Sequence, residues 1–368
     1  QLGRPLTMIF AGVGDHYLNM GSDLYEGNER FRNTFDQCAQ LITGETNQDI
    51  REILFKKSVQ QKSGNKNQID LKAMLGRDVQ GAPSSDGGLP ASALDDTVIL
   101  QPLMFAFDYS LASMWGDEGV HPNFLIGYSI GEYVAACLSG VFTLPDALRI
   151  VARRAQSIGQ VKKGGLLAVP LDQLDCREFI GDEVFVGITS GAKQTILSGS
   201  MEGLHKVSTT LKQRGLTSRF LPGTHPFHSP LLKPACPDVE ALIASVQRNA
   251  PTIPVISNVT GVVATSNELQ NPKYWSDHTC STVKFTEGLD TLLRRGDMDF
   301  LEVGPGRSLG SFVMQHPEFN KNGSQNVMTS VRGKWENFSD DQIFLETLGV
   351  LRVLGHQKKE KNKNENHQ

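Results

Sequence analysis

The sequence predicts an α/β fold: a parallel-sheet core with a small subdomain of ferredoxin-like order inserted in it. Three observations predict it. Leu6 to Phe10 is an apolar run ending in Gly12-Val13-Gly14, as a buried parallel strand entering a glycine turn would be. Phe124-Leu125-Ile126 is a second such run, with Gly127 after it and helical spacing from Gly131. Between Leu166 and Leu221 the segments are shorter and alternate in the order β-α-β-β-α-β.

In chain order, helical spacing follows the first strand from about Ser22 to Leu41. Between about Val59 and Asp96 the composition turns polar and glycine-rich, which reads as a surface excursion around a short helix near Asp70–Leu75. A helix from Gln101 to about Trp115 leads to the strand at Phe124. Helices follow over Gly131–Leu138 and Leu144–Gln160. The inserted unit then reads as strand Leu166–Val169, helix Leu171–Phe179, strands Val184–Ile188 and Thr195–Ser198, helix Met201–Arg214 and strand Thr217–Leu221. After Pro226 the core resumes with helix Leu231–Gln247, strand Val255–Asn258, helix Thr286–Arg295 and strand Phe300–Val303, which ends in Gly304-Pro305-Gly306. The expected division is a large subdomain over 1–162 and 225–356, the small one over 163–224, and a tail over 357–368. Gln1 in place of Met and the Lys/Asn-rich end read as cut points in a longer polypeptide.

Composition excludes several classes. Lys+Arg 36 against Asp+Glu 40 gives a net charge of −4 with no basic block in the folded region, so nucleic acid is not an expected partner. No apolar run reaches the ~18 residues of a membrane span. Five widely spaced cysteines without a C-x-x-C exclude a zinc finger or disulfide framework and point to a reducing, cytoplasmic setting.

Gly127-Tyr128-Ser129-Ile130-Gly131 matches G-x-S-x-G. An apolar strand before it and a helix after it make Ser129 the nucleophile of a strained elbow, which gives the core a hydrolase-like character. The N–H of Ile130, at the helix start, then faces an oxyanion on the attacked carbonyl. A serine nucleophile needs a base. Of nine histidines, His225 and His228 stand out in Gly223-Thr224-His225-Pro226-Phe227-His228, where the inserted unit hands back to the core. Chemistry alone does not choose between them.

These residues resemble the acyltransferase domain of modular type I polyketide synthases, kin to malonyl-CoA:acyl-carrier-protein transacylases. Phe10-Ala11-Gly12-Val13-Gly14 stands for the family's F-P-G-Q-G, Gln101-Pro102 for its Q-P helix start, and Gly127 to Glu132 for G-H-S-x-G-E. Arg154 lies 25 residues after Ser129, the spacing of the carboxylate-binding arginine. His225 to Pro230 matches H-A-F-H-S-P, Ser257 to Gly261 matches S-N-V-T-G, and Glu302 to Gly306 matches E-x-G-P-G. The resemblance spans about Leu6 to Leu354.

It implies a Ser129–His228 dyad, with His228 oriented by a backbone carbonyl at Lys284 and an oxyanion hole from the N–H groups of Val13 and Ile130. It implies substrate contacts from Arg154, Gln101, His225 and Phe227. No metal or permanently bound cofactor is implied. The substrate would be malonyl-CoA, and the partners a carrier protein with its phosphopantetheine thiol and neighbouring synthase domains such as a ketosynthase. A guanidinium fork suits a carboxylate, which favours a dicarboxylic acyl group over acetyl. His225-Pro226-Phe227-His228 is nearer the H-A-F-H of malonyl-selective domains than the Y-A-S-H of methylmalonyl-selective ones. Departures are Val13 for glutamine, Tyr128 for the histidine before the nucleophile, and Ser190 for an asparagine.

Two rivals differ in class. A thioesterase or patatin-like lipase would pair Ser129 with an aspartate such as Asp86, in Ser85-Asp86-Gly87-Gly88. A degenerate scaffold would not need Ser129, Arg154 and His228 together.

Overall fold

The computed structural model describes residues 3–55, 94, 96–191, 193–321 and 323–357. Most of the polar excursion, including the helix expected near Asp70–Leu75 and the Asp86 of the lipase reading, lies outside the described residues, as does 358–368.

The first part of the chain forms β1 (Leu6–Phe10), α1 (Ser22–Gly27), α2 (Glu29–Thr46), α3 (Ile50–Leu54), α4 (Thr97–Asp117), β2 (Phe124–Gly127), α5 (Gly131–Leu138) and α6 (Leu144–Gly159). The middle part forms β3 (Gly165–Val169), β4 (Val184–Gly191), β5 (Gln194–Gly199), α7 (Met201–Gln213) and β6 (Arg219–Leu221). The last part forms α8 (Cys236–Ser245), β7 (Val255–Ile256), α9 (Ser266–Gln270), α10 (Pro272–Cys280), β8 (Val283–Lys284), α11 (Phe285–Leu293), β9 (Asp299–Val303), α12 (Ser308–Gln315), β10 (Val327–Thr329) and α13 (Asp340–Leu354).

The core sheet is parallel, in the order β10-β9-β1-β2-β7. Every residue of β1 and β9 is buried, because helices cover both faces of a parallel sheet. The carboxyl ends of β9, β1 and β2 lie side by side, the usual place for a site in an open α/β sheet.

The second sheet runs β6-β3-β5-β4-β8, and its first four strands are antiparallel neighbours in ferredoxin-like order. Its fifth strand, β8, comes from far downstream and pairs parallel to β4. Leu167, Val169, Val184 and Leu197 bury one face with Leu204, Val207 and Leu211 of α7. The period of two in β3 turns Leu166 and Ala168 to the other face.

Several elements depart from the sequence reading. The helix expected over Leu171–Phe179 is a short 3₁₀ turn, Asp175–Phe179. The one over Leu231–Gln247 is a 3₁₀ turn, Pro230–Ala235, leading into α8, since Pro234 and Pro237 remove N–H groups that a continuous α-helix would use. The span from Ser22 breaks at Asn28, whose side chain caps α2 by accepting from the Phe31 N–H at 2.9 Å.

Candidate active site

β2 runs into Ser129, whose φ of 57° is left-handed, and α5 starts two residues later. The flanking glycines are sterically required. A Cβ on Gly127 would lie 2.0 Å from the Glu132 nitrogen, and one on Gly131 would lie 2.4 Å from the Phe10 oxygen. A non-glycine residue in this region costs about 1–3 kcal/mol and persists only where its surroundings hold it. Asn258 does the holding: its Oδ1 accepts from the Ser129 N–H at 2.9 Å, and its Nδ2 donates to the Gly127 carbonyl at 2.8 Å. Asn258 is held in turn by its own N–H, which donates to Glu132 Oε2 at 2.8 Å. Tyr274 bonds the other Glu132 oxygen.

His228, like Ser129, is left-handed, at φ 58°. It stands just before the 3₁₀ turn, where the Ser229 hydroxyl donates to the Pro226 carbonyl at 2.7 Å. The resulting geometry puts His228 Nε2 2.5 Å from Ser129 Oγ. His228 Nδ1 faces the carbonyl of His278 at 3.2 Å, which corrects the expectation of Lys284. His278 lies in the last turn of α10, where carbonyls have no intrahelical N–H to accept from. Lys284 is committed elsewhere: it pairs with Thr189 in the second sheet, and its N–H donates to the Asn258 carbonyl at 2.8 Å. With Nδ1 protonated and donating to the His278 carbonyl, Nε2 is left as the acceptor for the serine proton. Burial first, then the His278 ring and the Arg154 guanidinium, hold His228 well below the usual histidine range. It is therefore a neutral base at pH 7.

Ser129 and His228 open on a cavity of about 450 Å³. Val13 and Ile130 line it on the core-sheet side; Leu166, Ala168, Ile188 and Ile196 line it from the second sheet. Arg154, Gln101 and Phe227 line it too. Arg154 is 1% exposed. Its Nη1 donates to Gln101 Oε1 and its Nε to Thr279 Oγ1 at 3.3 Å, while its ring neighbour is Tyr133, 5.5 Å away. Its Nη2 is buried without a hydrogen-bond partner among the described residues. Such an orphaned donor costs about 1–3 kcal/mol or more, and an anionic acceptor relieves it.

His225 does not join this group. It lines a separate cavity with Asp96, Gln156 and Lys163, and its Nδ1 meets the Thr224 hydroxyl at 3.0 Å. The two ends of the motif part here: Phe227 and His228 face the Ser129 cavity, and His225, across Pro226, faces the other. Tyr128 packs edge-on to Phe285, stacks with Phe312 and lies close against Gly12, and it also lines the Ser129 cavity. Ser190 is buried in β4.

Sequence reasoning missed the Asn258 clamp, the His278 carbonyl and the Thr279 contact. The Ser-Asn-Val-Thr-Gly motif held a signal for the first, because a buried asparagine can both accept and donate. Among the described residues no group of His, Cys, Asp or Glu is arranged to hold a metal ion, and no helix is long and apolar enough to cross a membrane.

The family model described as "Acyl transferase domain" matches residues 7–353. A phenolphthiocerol/phthiocerol polyketide synthase protein of Mycobacterium tuberculosis is 27% identical over 95% of the chain, which spans 21% of that protein's length. Among solved structures, the acyl transferase domain of SpnD, in complex with 2-(pent-4-yn-1-yl)malonyl, is 27% identical at a TM-score of 0.82. That match covers 96% of this chain and 78% of the other. The malonyl CoA-acyl carrier protein transacylase from Clostridium perfringens shares the fold at 22% identity and a TM-score of 0.72, with 95% and 98% covered.

Proposed function

The chain belongs to the acyl transferase domain family, and from that premise we propose that it moves a malonyl extender unit from malonyl-CoA to a carrier-protein thiol through an ester on Ser129. His228 Nε2 takes the hydroxyl proton as Ser129 Oγ attacks the thioester carbonyl. The N–H groups of Val13 and Ile130 hold the tetrahedral oxyanion. CoA leaves as the thiol, taking the proton from His228. The carrier protein's phosphopantetheine thiol then attacks the ester by the same steps reversed. Ketosynthase and other synthase domains would be neighbours in the same polypeptide, in keeping with the greater length of the mycobacterial relative.

The observation that carries the reading is the unpartnered, buried Nη2 of Arg154 in the cavity of the dyad. A malonyl carboxylate supplies the missing acceptor, and two charge-assisted hydrogen bonds are worth about 3–6 kcal/mol. That favours malonyl over acetyl by about 10²–10⁴-fold. Phe227 lines the same cavity and takes space that an α-methyl needs, although one methyl is worth only ~1–3 kcal/mol. Methylmalonyl is therefore the competing extender.

A thioesterase shares the acylation half and differs in the acceptor. The test is single-turnover chase of the isolated malonyl-enzyme with a holo carrier protein or with buffer alone. Transfer to the thiol should outrun hydrolysis by at least about tenfold. Equal loss in both arms would assign the protein to the hydrolases.

A further inference from the structure

Two of the five cysteines face each other at the end of α10 that presents the His278 carbonyl to His228. Cys236 is the first residue of α8 and Cys280 the last of α10, and their sulfurs are 3.2 Å apart. Both are partly exposed, whereas Cys38, Cys137 and Cys176 are buried. Burial pushes Cys38 up to about 12 and raises Cys137 as well, which leaves them protonated and inert. Cys236 is drawn down to about 7 by its hydrogen bond with Cys280, and the Arg154 guanidinium adds to the effect.

The same hydrogen bond, with burial, raises Cys280, so Cys236 is the thiol that attacks first and what Cys280 contributes is its position. Three consecutive residues end α10. The His278 carbonyl orients His228, the Thr279 hydroxyl accepts from Arg154, and Cys280 meets Cys236. Any shift of Cys280 is transmitted within two residues to both functional side chains.

We propose that Cys236 and Cys280 form a redox modification site, closed into an intramolecular disulfide by a low-molecular-weight disulfide such as oxidised glutathione, and that closure slows acylation of Ser129. The Cys236 thiolate attacks one sulfur of the oxidant, and a glutathione thiolate leaves and takes a proton. Cys280 gives its proton to solvent and attacks the Cys236 sulfur of the mixed disulfide, releasing the second glutathione, which is protonated in turn. Two protein thiols are oxidised and one glutathione disulfide is reduced to two thiols. To reach a disulfide's ~2.05 Å the sulfurs approach by about 1.2 Å, drawing the end of α10 toward α8. In a reducing compartment such a bond is transient and sensing rather than structural. The effect on acyl transfer rests on the function proposed above; formation of the bond does not.

The test equilibrates the protein in glutathione buffers of graded ratio, maps disulfides by peptide mass spectrometry, and times Ser129 labelling by malonyl-CoA and by a fluorophosphonate. The fluorophosphonate needs only the dyad. The expected result is a Cys236–Cys280 cross-linked peptide whose appearance tracks a fall of about tenfold or more in both labelling rates. Dithiothreitol should restore them, and Cys236→Ser and Cys280→Ser should keep the reduced rate in oxidant. Separate glutathione adducts without the cross-link, or a cross-link with unchanged fluorophosphonate labelling, would overturn the proposal. If malonyl-CoA fails to label the reduced protein while fluorophosphonate labelling stays redox-sensitive, the acyl-transfer reading falls and the modification site stands.

Discussion

Both members of the dyad sit at left-handed φ, and neither is a glycine. Side-chain chemistry at these two positions outweighs backbone comfort, and the strain is held by Asn258 on one side and the Ser229 turn on the other. Ser129→Ala should abolish covalent labelling by malonyl-CoA. His228→Ala should slow it by about 10²–10⁴-fold, while His225→Ala leaves the rate within a few-fold; a reversed pattern would return the base to His225. Because His228 is buried and held below the usual range, it stays neutral as pH drops through ~6.5. The acid limb of kcat/KM for acylation should lie below that value, and a limb at or above it would contradict the assigned environment. Arg154→Ala should cost malonyl about 10²–10⁴-fold in acylation rate and cost acetyl little, as measured by competing CoA esters. Ser129 was legible in the sequence through the strand, glycine turn and helix around it, whereas the choice of His228 over His225 and the singling out of Arg154 came from the family resemblance alone. The His278 acceptor was not legible, since any residue's carbonyl can fill that role and leaves no mark in the sequence.

At the scale of elements, the site depends on how α5, α10 and α12 are fastened to the carboxyl ends of the core strands. Glu302 ends on the N-terminus of α12, where its carboxyl oxygens accept from the Leu309 and Gly310 N–H groups at 3.0 and 2.8 Å. Burial pushes this carboxyl up to about 8, against the pull of those two amides. Asn258→Ala would orphan the Ser129 N–H and the Gly127 carbonyl together, at about 1–3 kcal/mol each. Urea unfolding should report that loss alongside slower labelling of Ser129; an unchanged midpoint and rate would mean the elbow holds itself. The long buried strands and the helices around the elbow were legible because apolar runs and glycine turns mark them. β7 was expected over Val255–Asn258 and is shorter, Val255–Ile256. β8 was not expected: it is two residues long and exists only through pairing with a distant strand, which no local pattern encodes. α10 combines Pro272, Trp275, Asp277 and Thr279 without a clean apolar stripe, so its carbonyl-bearing end, the part that matters for catalysis, went unpredicted.

For the whole molecule, two sheets of opposite character enclose one cavity. The parallel sheet carries Ser129 at the end of β2, and the mixed sheet lines the cavity with apolar side chains, a roof that under the proposed function would limit water around the Ser129 ester. The βαββαβ order of the roof was legible; its attachment through β8 was not. Global stability should carry the signature of the buried His228. Its folded value is depressed, so the unfolded chain binds more protons below ~6.5, and the contribution present above that pH is lost as pH falls toward the folded value. His228→Gln should flatten the fall in unfolding free energy on acidification, and an unchanged slope would place the linkage elsewhere. The net charge of −4 does not point to an acidic substrate; under the proposed function that choice falls to the buried Arg154. The most direct measurement is intact mass spectrometry after separate incubation with malonyl-, methylmalonyl- and acetyl-CoA. A single malonyl adduct on Ser129, weaker methylmalonyl labelling and almost no acetyl adduct is the predicted result, whereas acetyl labelling as complete as malonyl would contradict the role given to Arg154.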